Sequence, residues 1–469
     1  MHVVVVGGGV AGLSAAHRLA RTAGVEITVL EADDRVGGKI HTETFAGLDL
    51  DTGPDAFLAR RPEAVTLCRE LGLADTLVAP ATTAASLLVG TRLRPLPART
   101  LLGVPTDLRA LARSRVLSPR GLARAAVEPL RPGRRLGPGD GPVGDLVRRR
   151  FGREVAERLV DPLVGGINAG DTRQLSVDAV APTIAAAARR HRSLTLGARA
   201  ILARGTDPDA PLFLTLPGGL GRLVDALAAA LAEAGATVRT GTSVEGLEPA
   251  RGGGWLVRHQ PVLPGEAGLL RADAVVLAVP AFVAAPLLQP LSPRAADVLG
   301  GVEHACVALV AMVWPAGHGP RPMEGSGFLV PRREGRLLTA CSWMSNKWRH
   351  LADSQVVVRL SAGRTGDRRA VTMDDEELVG RLLTELGEAV VVGAAPTAVR
   401  VARWPRGFPQ YRPGHLARMA AVMADLPAGL ALAGAALGGV GLPACIGSGR
   451  AAAASILAEV PEGRRRSTL

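Results

Sequence analysis

The sequence predicts an α/β fold that opens on a parallel sheet, passes through an inserted helical stretch and carries a separate antiparallel sheet before a last strand and helix. Three observations predict it. Val3 to Val6 form an all-apolar run suited to a buried parallel strand, and Gly7, Gly9 and Gly12 follow in G-x-G-x-x-G spacing. Helical periodicity dominates residues 106–163, and alternating apolar runs from residue 281 to about 397 suggest an antiparallel sheet. Short buried runs at 272–280 and near 430 have the character of strands that return the chain to the first sheet.

After the glycines a helix presents Ala11, Ala15 and Leu19 to the inside, and a β-rich run at 25–30 ends in Glu31, nineteen residues beyond Gly12. The first glycine permits a tight turn, the second lets backbone approach a pyrophosphate, and the third packs helix on strand. Gly8, Val10 and Ala11 complete the loop and the helix start, whose free N–H groups and positive dipole end face phosphates. A carboxylate at the end of the second strand accepts ribose hydroxyls. The glycine spacing alone is weak evidence in a chain with 57 glycines among 469 residues. Strand, helix, strand and terminal acid together make a Rossmann-like dinucleotide site.

The next residues choose the dinucleotide. Glu31, Arg35, Gly37, Gly38 and Lys39 read E-x-x-x-R-x-G-G-K, which resembles the second fingerprint of FAD enzymes of the amine oxidase and porphyrinogen oxidase superfamily. A nicotinamide domain would not need it. The resemblance implies that Arg35 and Lys39 neutralise the pyrophosphate, while Ala32 and Gly38 lie on the cofactor's path. The alternative is a surface turn with two solvated bases.

Composition sets bounds. The net charge is +12, and arginine supplies nearly all the positive charge, since Lys39 and Lys347 are the only lysines. Coding bias explains this blandly; an anionic substrate or an anionic membrane surface explains it functionally. Nucleic acid is disfavoured, because aromatics are 3% and no basic stripe interleaves them. Cys68, Cys306, Cys341 and Cys445 are scattered without metal-ligand spacing, which fits a reducing cytoplasm and no metal site. The chain enters its first strand without a basic leader, so no signal peptide is expected. The longest uncharged runs, 426–449 and 274–293, are broken by seven glycines and four prolines. Membrane contact is then peripheral at most.

Further along, Gly53, Pro54, Asp55 and Ala56 open GPDAFLARR, and a helix follows with Val65, Leu67, Cys68 and Leu71 facing a core. This stretch closely resembles the flavin-proximal turn of bacterial protoporphyrinogen and coproporphyrinogen oxidases. The resemblance makes Arg60 and Arg61 candidates to pair with substrate carboxylates; a solvated helix start is the other reading. Ser118 caps a helix with Pro119 at its first position. Beyond the linker RPGRRLGPGDGP, Leu146, Val147, Phe151, Val155, Leu159 and Val160 recur at helical spacing. VGGINAGDTRQLSVDAVAP is similar to the oxidases' helical lobe; it makes Ile167 a wall of the macrocycle site and puts Asn168 where the family wording has tyrosine. A helix over 217–234, a strand carrying Val244 and the buried run 272–280 follow; Val244 matches a backbone contact to adenine. CSWMSNKW and WPRGFPQYRPGH also resemble the family, and Trp404 matches a flavin contact. In LALAGAALGGVGLPACIGSGR, Gly434, Val440, Gly441 and Leu442 match FAD contacts, with a helix expected to begin near Gly447 to Gly449.

The resemblance spans nearly the whole chain. It implies a discontinuous FAD domain at 1–85, 206–281 and 397–460, an inserted helical lobe at 86–205 on the substrate or membrane side, a substrate-binding sheet at 282–396 and a basic tail at 461–469. It further implies a six-electron, oxygen-dependent oxidation of coproporphyrinogen III to coproporphyrin III in haem biosynthesis. Hydride passes to N5 of non-covalent FAD, and dioxygen gives hydrogen peroxide. The flavin carries the chemistry, so no protein general base is named. Hand-over of the porphyrin to a ferrochelatase is compatible with this reading. Protoporphyrinogen IX is the nearest alternative substrate. An amine oxidase or carotenoid desaturase is poorly provided for by one spare lysine, Lys347, and a single tyrosine, Tyr411. A non-enzymatic flavoprotein is more distant still.

Overall fold

The computed structural model describes residues 1–130, 133–204, 210–262, 267–352 and 355–459. The expected basic tail and the first two residues of the RPGRRLGPGDGP linker lie outside the described residues. The chain divides into two compact units, one formed by Met1–Ala79, Leu212–Val302 and the chain from Leu416 onward, the other by Pro80–Pro211 and Glu303–His415.

The first unit is built on a five-stranded parallel sheet in the order Thr237–Arg239, Glu26–Leu30, His2–Val6, Ala274–Leu277, Leu430–Leu432. Successive strands run outward on either side of His2–Val6. The order therefore reverses at that strand, and its carboxyl end is where an open α/β sheet leaves a ligand crevice. The two-residue period of a strand divides the valines between two cores. Val3 and Val5 pack with Leu13, Leu223, Leu227, Ile446 and Ala453 from the helices Val10–Ala20, Gly221–Glu233 and Leu442–Glu459. Val4 and Val6 pack with Leu247 and Trp255 of an antiparallel meander, Thr242–Pro249, Trp255–Pro261 and Gly268–Ala272. The helix Pro62–Glu70 buries Ala64, Leu67 and Cys68 on the same side as Val3.

The second unit holds a seven-stranded sheet in the order Ala398–Pro409, His304–Pro315, Gln355–Ala362, Leu338–Trp343, Gly327–Leu329, Ser86–Val89, Arg92–Pro95. Neighbours are antiparallel except Gly327–Leu329 with Ser86–Val89. Residues 282–302, expected in the substrate-binding sheet, belong to the first unit as the helices Ala281–Leu288 and Pro293–Gly300, and two further segments differ from the expected division. Residues 86–95 join this sheet rather than the helical lobe, and Ala398–Pro409 is its edge strand rather than part of the nucleotide unit. In both, short alternation outweighs the helix-rich or glycine-rich neighbourhood; Val399 and Val401 pack on the sheet's core. The lobe itself includes Leu108–Ser114, Pro119–Ala126, Val143–Phe151, Pro182–Arg190 and Leu194–Arg204. Ser118 Oγ accepts from Gly121 N at 3.1 Å with Pro119 at the first helical position, as its sequence signature requires. Leu146, Val147, Phe151, Val155, Leu159 and Val160 are all buried in one core.

Candidate active site

The carboxyl end of His2–Val6 runs into a glycine turn whose shape the sequence dictates. Gly7 has φ +102°, and a Cβ on it would meet Ala278 O at 2.8 Å. A Cβ on Gly12 would lie 1.9 Å from Gly7 O, so only glycine lets the Val10–Ala20 helix start this close to the strand. Gly9, the N-cap, has nothing within 4 Å of its built Cβ. That glycine borders open space beside the free N–H groups of Val10 and Ala11, the arrangement a pyrophosphate needs.

Glu31 closes the second strand, 9% exposed. Its Oε2 accepts from Gly8 N at 2.5 Å and its Oε1 from Asp33 N at 2.9 Å. Two main-chain donors therefore fix the carboxylate, and each oxygen keeps a lone pair for a further donor such as a ribose hydroxyl. The second fingerprint lies directly against the first. Gly37 N donates to Gly8 O at 2.8 Å, and a Cβ on Gly38 would sit 3.3 Å from Gly9 Cα.

Arg35 is engaged by the loop itself. Its guanidinium donates to the carbonyls of Val36, Gly38 and Ile40 at 3.2, 2.8 and 3.2 Å. It stitches the glycine loop into shape, and its positive charge reaches the loop's surroundings through that role. Lys39 is open to solvent yet walled in by protein, and this burial lowers its pKa, with the nearby Cys445 acting in the opposite sense. Burial raises the Cys445 thiol to about 11, so it stays protonated at neutral pH.

Gly53 is held close to the same loop, since a Cβ there would lie 1.9 Å from Lys39 O, and Thr52 N donates to His41 O at 2.9 Å. Asp55 is buried, with Pro54 and Ala56 half-buried on either side. The chain then forms the short strand Phe57–Leu58 before Pro62–Glu70 begins, so GPDAFLARR precedes the helix. Arg60 and Arg61 are exposed, and Arg61 Nη2 pairs with Glu63 Oε1 at 3.3 Å. Glu63 Oε2 is buried without a hydrogen-bond partner, and its side chain lies 3.4 Å from where a Cβ on Gly447 would stand. Neither Glu63 nor Cys445 announces itself by spacing, because each reaches the site through the approach of two helices distant in sequence.

The last helix starts at Leu442, five residues before the expected Gly447. Gly441 O accepts from Cys445 N at 3.1 Å, and Pro443 suits the first turn. The later glycines sit inside the helix for another reason: a Cβ on Gly449 would be 2.0 Å from Ala11 O. Gly434, with φ +118° and no atom within 4 Å of a built Cβ, donates from its N to Ser448 Oγ at 2.9 Å. Val440 is half-buried, Gly441 exposed and Leu442 8% exposed, so the helix start presents free N–H groups to open space. Val244 lies in the Thr242–Pro249 strand, which Thr242 N joins to Glu31 O at 2.8 Å. All of these residues belong to the first unit.

In the second unit, Trp404 is half-buried on the edge strand and packs with Ala169, Ala305 and Val307. Ile167 is 57% exposed in the turn Gly166–Asn168, which follows a ten-residue π-helix, Ala156–Gly165. Such helices are uncommon and often mark functional sites. Asn168 is buried: its Nδ2 donates to Val164 O at 2.8 Å and its carbonyl accepts from Gln410 Nε2 at 2.9 Å. It holds the turn, while Ile167 presents the apolar surface. Under the turn, Arg332 donates to Gly170 O and Thr365 O at 3.2–3.3 Å. Among the described residues there is no cluster that could hold a metal ion, and no helix is long and apolar enough to cross a membrane.

A parallel sheet with a glycine cradle, an anchored acid and a second glycine fingerprint defines an FAD-dependent oxidoreductase. Residues 10–457 match the model of the flavin containing amine oxidoreductases, and the chain belongs to that family. Within it, the chain belongs with the porphyrinogen oxidases. It is 33% identical to the coproporphyrinogen III oxidase of Bacillus subtilis, over 97% of this chain and 98% of that one. It is 37% identical to the coproporphyrinogen III oxidase of Mycobacterium tuberculosis, over 97% and 96%. A solved structure from Exiguobacterium sp. 255-15, provisionally assigned as a protoporphyrinogen oxidase, superposes with a TM-score of 0.87 at 32% identity, over 98% and 99% of the two chains. Cyclohexylamine oxidase from Brevibacterium oxydans, at 19% identity and a TM-score of 0.71, shares the fold.

Proposed function

We propose that this protein oxidises coproporphyrinogen III to coproporphyrin III in haem biosynthesis. The observation that carries the reading is similarity to coproporphyrinogen III oxidases along 97% of the chain at 33–37% identity. FAD, when bound, accepts hydride equivalents from the macrocycle and passes the electrons to dioxygen, three times for each porphyrin formed.

The chain's own residues bind and orient. Gly7, Gly8, Gly9, Val10, Ala11 and Gly12 hold the pyrophosphate through backbone; Glu31 takes the ribose. Val244 meets the adenine. Lys39 adds positive charge along the chain's path at Gly38, Gly53 and Ala56, and Arg35 shapes that path. The Leu442–Glu459 helix start, with Gly434, Val440 and Gly441, directs a positive dipole end at the flavin edge where reduction places negative charge. By resemblance to the family, Trp404 is assigned to the flavin ring, Ile167 to the macrocycle, and Arg60 and Arg61 to its carboxylates. No histidine or cysteine of the chain stands in a known flavin-attachment motif, so FAD would be held non-covalently. A cytoplasmic protein, in peripheral contact with a membrane and passing its porphyrin to a ferrochelatase, agrees with this reading.

Tyr411 argues against amine oxidation. It is 1% exposed and packs on His415 with ring centroids 4.4 Å apart, so it is part of a core rather than an amine cage. The stoichiometry tests the reaction: an oxygen electrode and a peroxide assay should give three dioxygen consumed per coproporphyrin formed. A two-electron stoichiometry, or no porphyrin, overturns it.

A further inference from the structure

The positive charge of this protein is not spread as a coding bias would spread it. Pro80–Pro211 contains 22 arginines against 11 acids, a net +11 of the chain's +12. The whole second unit carries +15 and the nucleotide-binding unit −3. Arginine enrichment from base composition would raise both units alike, and it gives no reason for acids to be scarce in one.

The charge has a built centre. Arg150 is 6% exposed, and its guanidinium donates to the carbonyls of Arg134 and Arg192. Leu136 N donates to Ala188 O at 2.9 Å, closing the same junction. Three segments of the lobe are thus stitched around one buried arginine. Six exposed arginines stand on those segments: Arg134, Arg135, Arg148, Arg149, Arg190 and Arg192. None of the six has an ion-pair partner among the described residues, although Asp178, Glu154 and Glu157 in the same lobe are each paired with an arginine. Collecting like charges this way costs stability through self-repulsion, and it creates a field of several kT at the surface.

We infer that this arginine-rich face of the lobe is an electrostatic capture surface for polycarboxylate tetrapyrroles, drawing them in from solution before they reach the residues that bind them. The inference rests on the proposed function and adds a role for residues outside the cradle. Coproporphyrin and its porphyrinogen carry four carboxylates and protoporphyrin two, so the field acts about twice as strongly on the former. Steering changes association rates and fades with salt, because the Debye length falls from roughly 30 Å at 0.01 M to about 10 Å at 0.1 M and about 3 Å at 1 M.

The test uses the FAD-loaded enzyme and stopped-flow fluorescence of coproporphyrin III binding. A variant with all six arginines replaced by Gln should associate roughly fivefold to tenfold more slowly than wild type at about 0.02 M salt, and at the same rate at about 0.5 M. Protoporphyrin should show about half that effect on a logarithmic scale. At saturating porphyrinogen, kcat should be unchanged. A control with Arg251→Gln and Arg294→Gln, exposed in the nucleotide unit, should match wild type. If the sixfold variant loses its flavin, the pairs Arg134/Arg135, Arg148/Arg149 and Arg190/Arg192 are replaced separately, each expected to slow association about twofold. Equal association rates at low salt, or a slowing that persists at high salt, overturns the capture surface. Absence of porphyrinogen turnover in wild type would instead overturn the proposed function, so the two failures are distinct.

Discussion

The last helix crosses the first so closely that a Cβ on Gly449 would lie 2.0 Å from the carbonyl oxygen of Ala11. Because that oxygen is backbone, nothing can swing aside. Gly449→Ala should therefore separate the two helices that flank the glycine turn, destabilising the protein by about 1–3 kcal/mol or more. Gly380, mid-helix with nothing within 4 Å of a built Cβ, is the counterpart. Gly380→Ala should stabilise by about 0.5–1 kcal/mol. Thermal melts followed by flavin fluorescence check both, and equal shifts for the two variants would show that the helix contact is loose.

Glu31→Ala should weaken FAD binding roughly tenfold to a hundredfold, the worth of about 1.5–3 kcal/mol in charge-assisted bonds. Part of that loss comes through Gly8, whose N–H loses its partner. Equilibrium titration of the apoprotein with FAD measures it; an unchanged affinity would place the ribose elsewhere.

Arg61→Ala should lower kcat/KM for coproporphyrinogen by roughly fivefold to a hundredfold and affect protoporphyrinogen less. Solvent and the Glu63 carboxylate already draw on the Arg61 charge, which favours the lower end of that range. Glu63→Gln should then raise coproporphyrinogen affinity, because it releases Arg61. Parallel steady-state assays decide it; identical constants in wild type and Arg61→Ala would leave carboxylate binding to other arginines.

Acid sensitivity should map partly to Glu154. Burial pushes its pKa up, but bonds from Ser118 N and Oγ at 2.8 and 2.6 Å, with Arg158 and Arg333, more than reverse this and leave it below the ordinary value. A lowered carboxylate stabilises the fold above its unfolded pKa of about 4.3, and that contribution is lost as pH falls through the lower folded value. Wild type should thus melt above Glu154→Gln at neutral pH, with the gap closing at lower pH. A gap independent of pH would mean that Glu154 acts by shape alone.

Much of the cradle was legible because short-range rules govern it. Gly7 and Gly12 make the tight turn and the close helix start that their spacing requires, Glu31 stands at the end of the second strand, and Val3 to Val6 alternate between two cores as a buried strand must. Legibility failed where tertiary approach overrides local chemistry. Gly447 and Gly449 read in sequence as a helix start, yet they lie inside a helix that begins at Leu442, with Gly449 pressed on the backbone of Ala11 and Gly447 beside the Glu63 side chain. The motif around Arg35 did not announce that its guanidinium also donates to three loop carbonyls within five residues. Residues 86–95 and 398–409 carry the short alternation of strands, but nothing local says which sheet they join. The pairing of Arg61 with Glu63 was open to inspection at two-residue spacing, but the approach of the Glu63 side chain to Gly447 was not.

The most direct test of the central claim is anaerobic mixing of the FAD-loaded protein with coproporphyrinogen III, protoporphyrinogen IX and a panel of polyamines and aromatic amines, followed by admission of air. Coproporphyrinogen should bleach the oxidised flavin spectrum within mixing time, yield coproporphyrin fluorescence on oxygenation and show the highest kcat/KM, while the amines leave the flavin oxidised. Rapid bleaching by an amine together with an inert coproporphyrinogen would contradict the assignment.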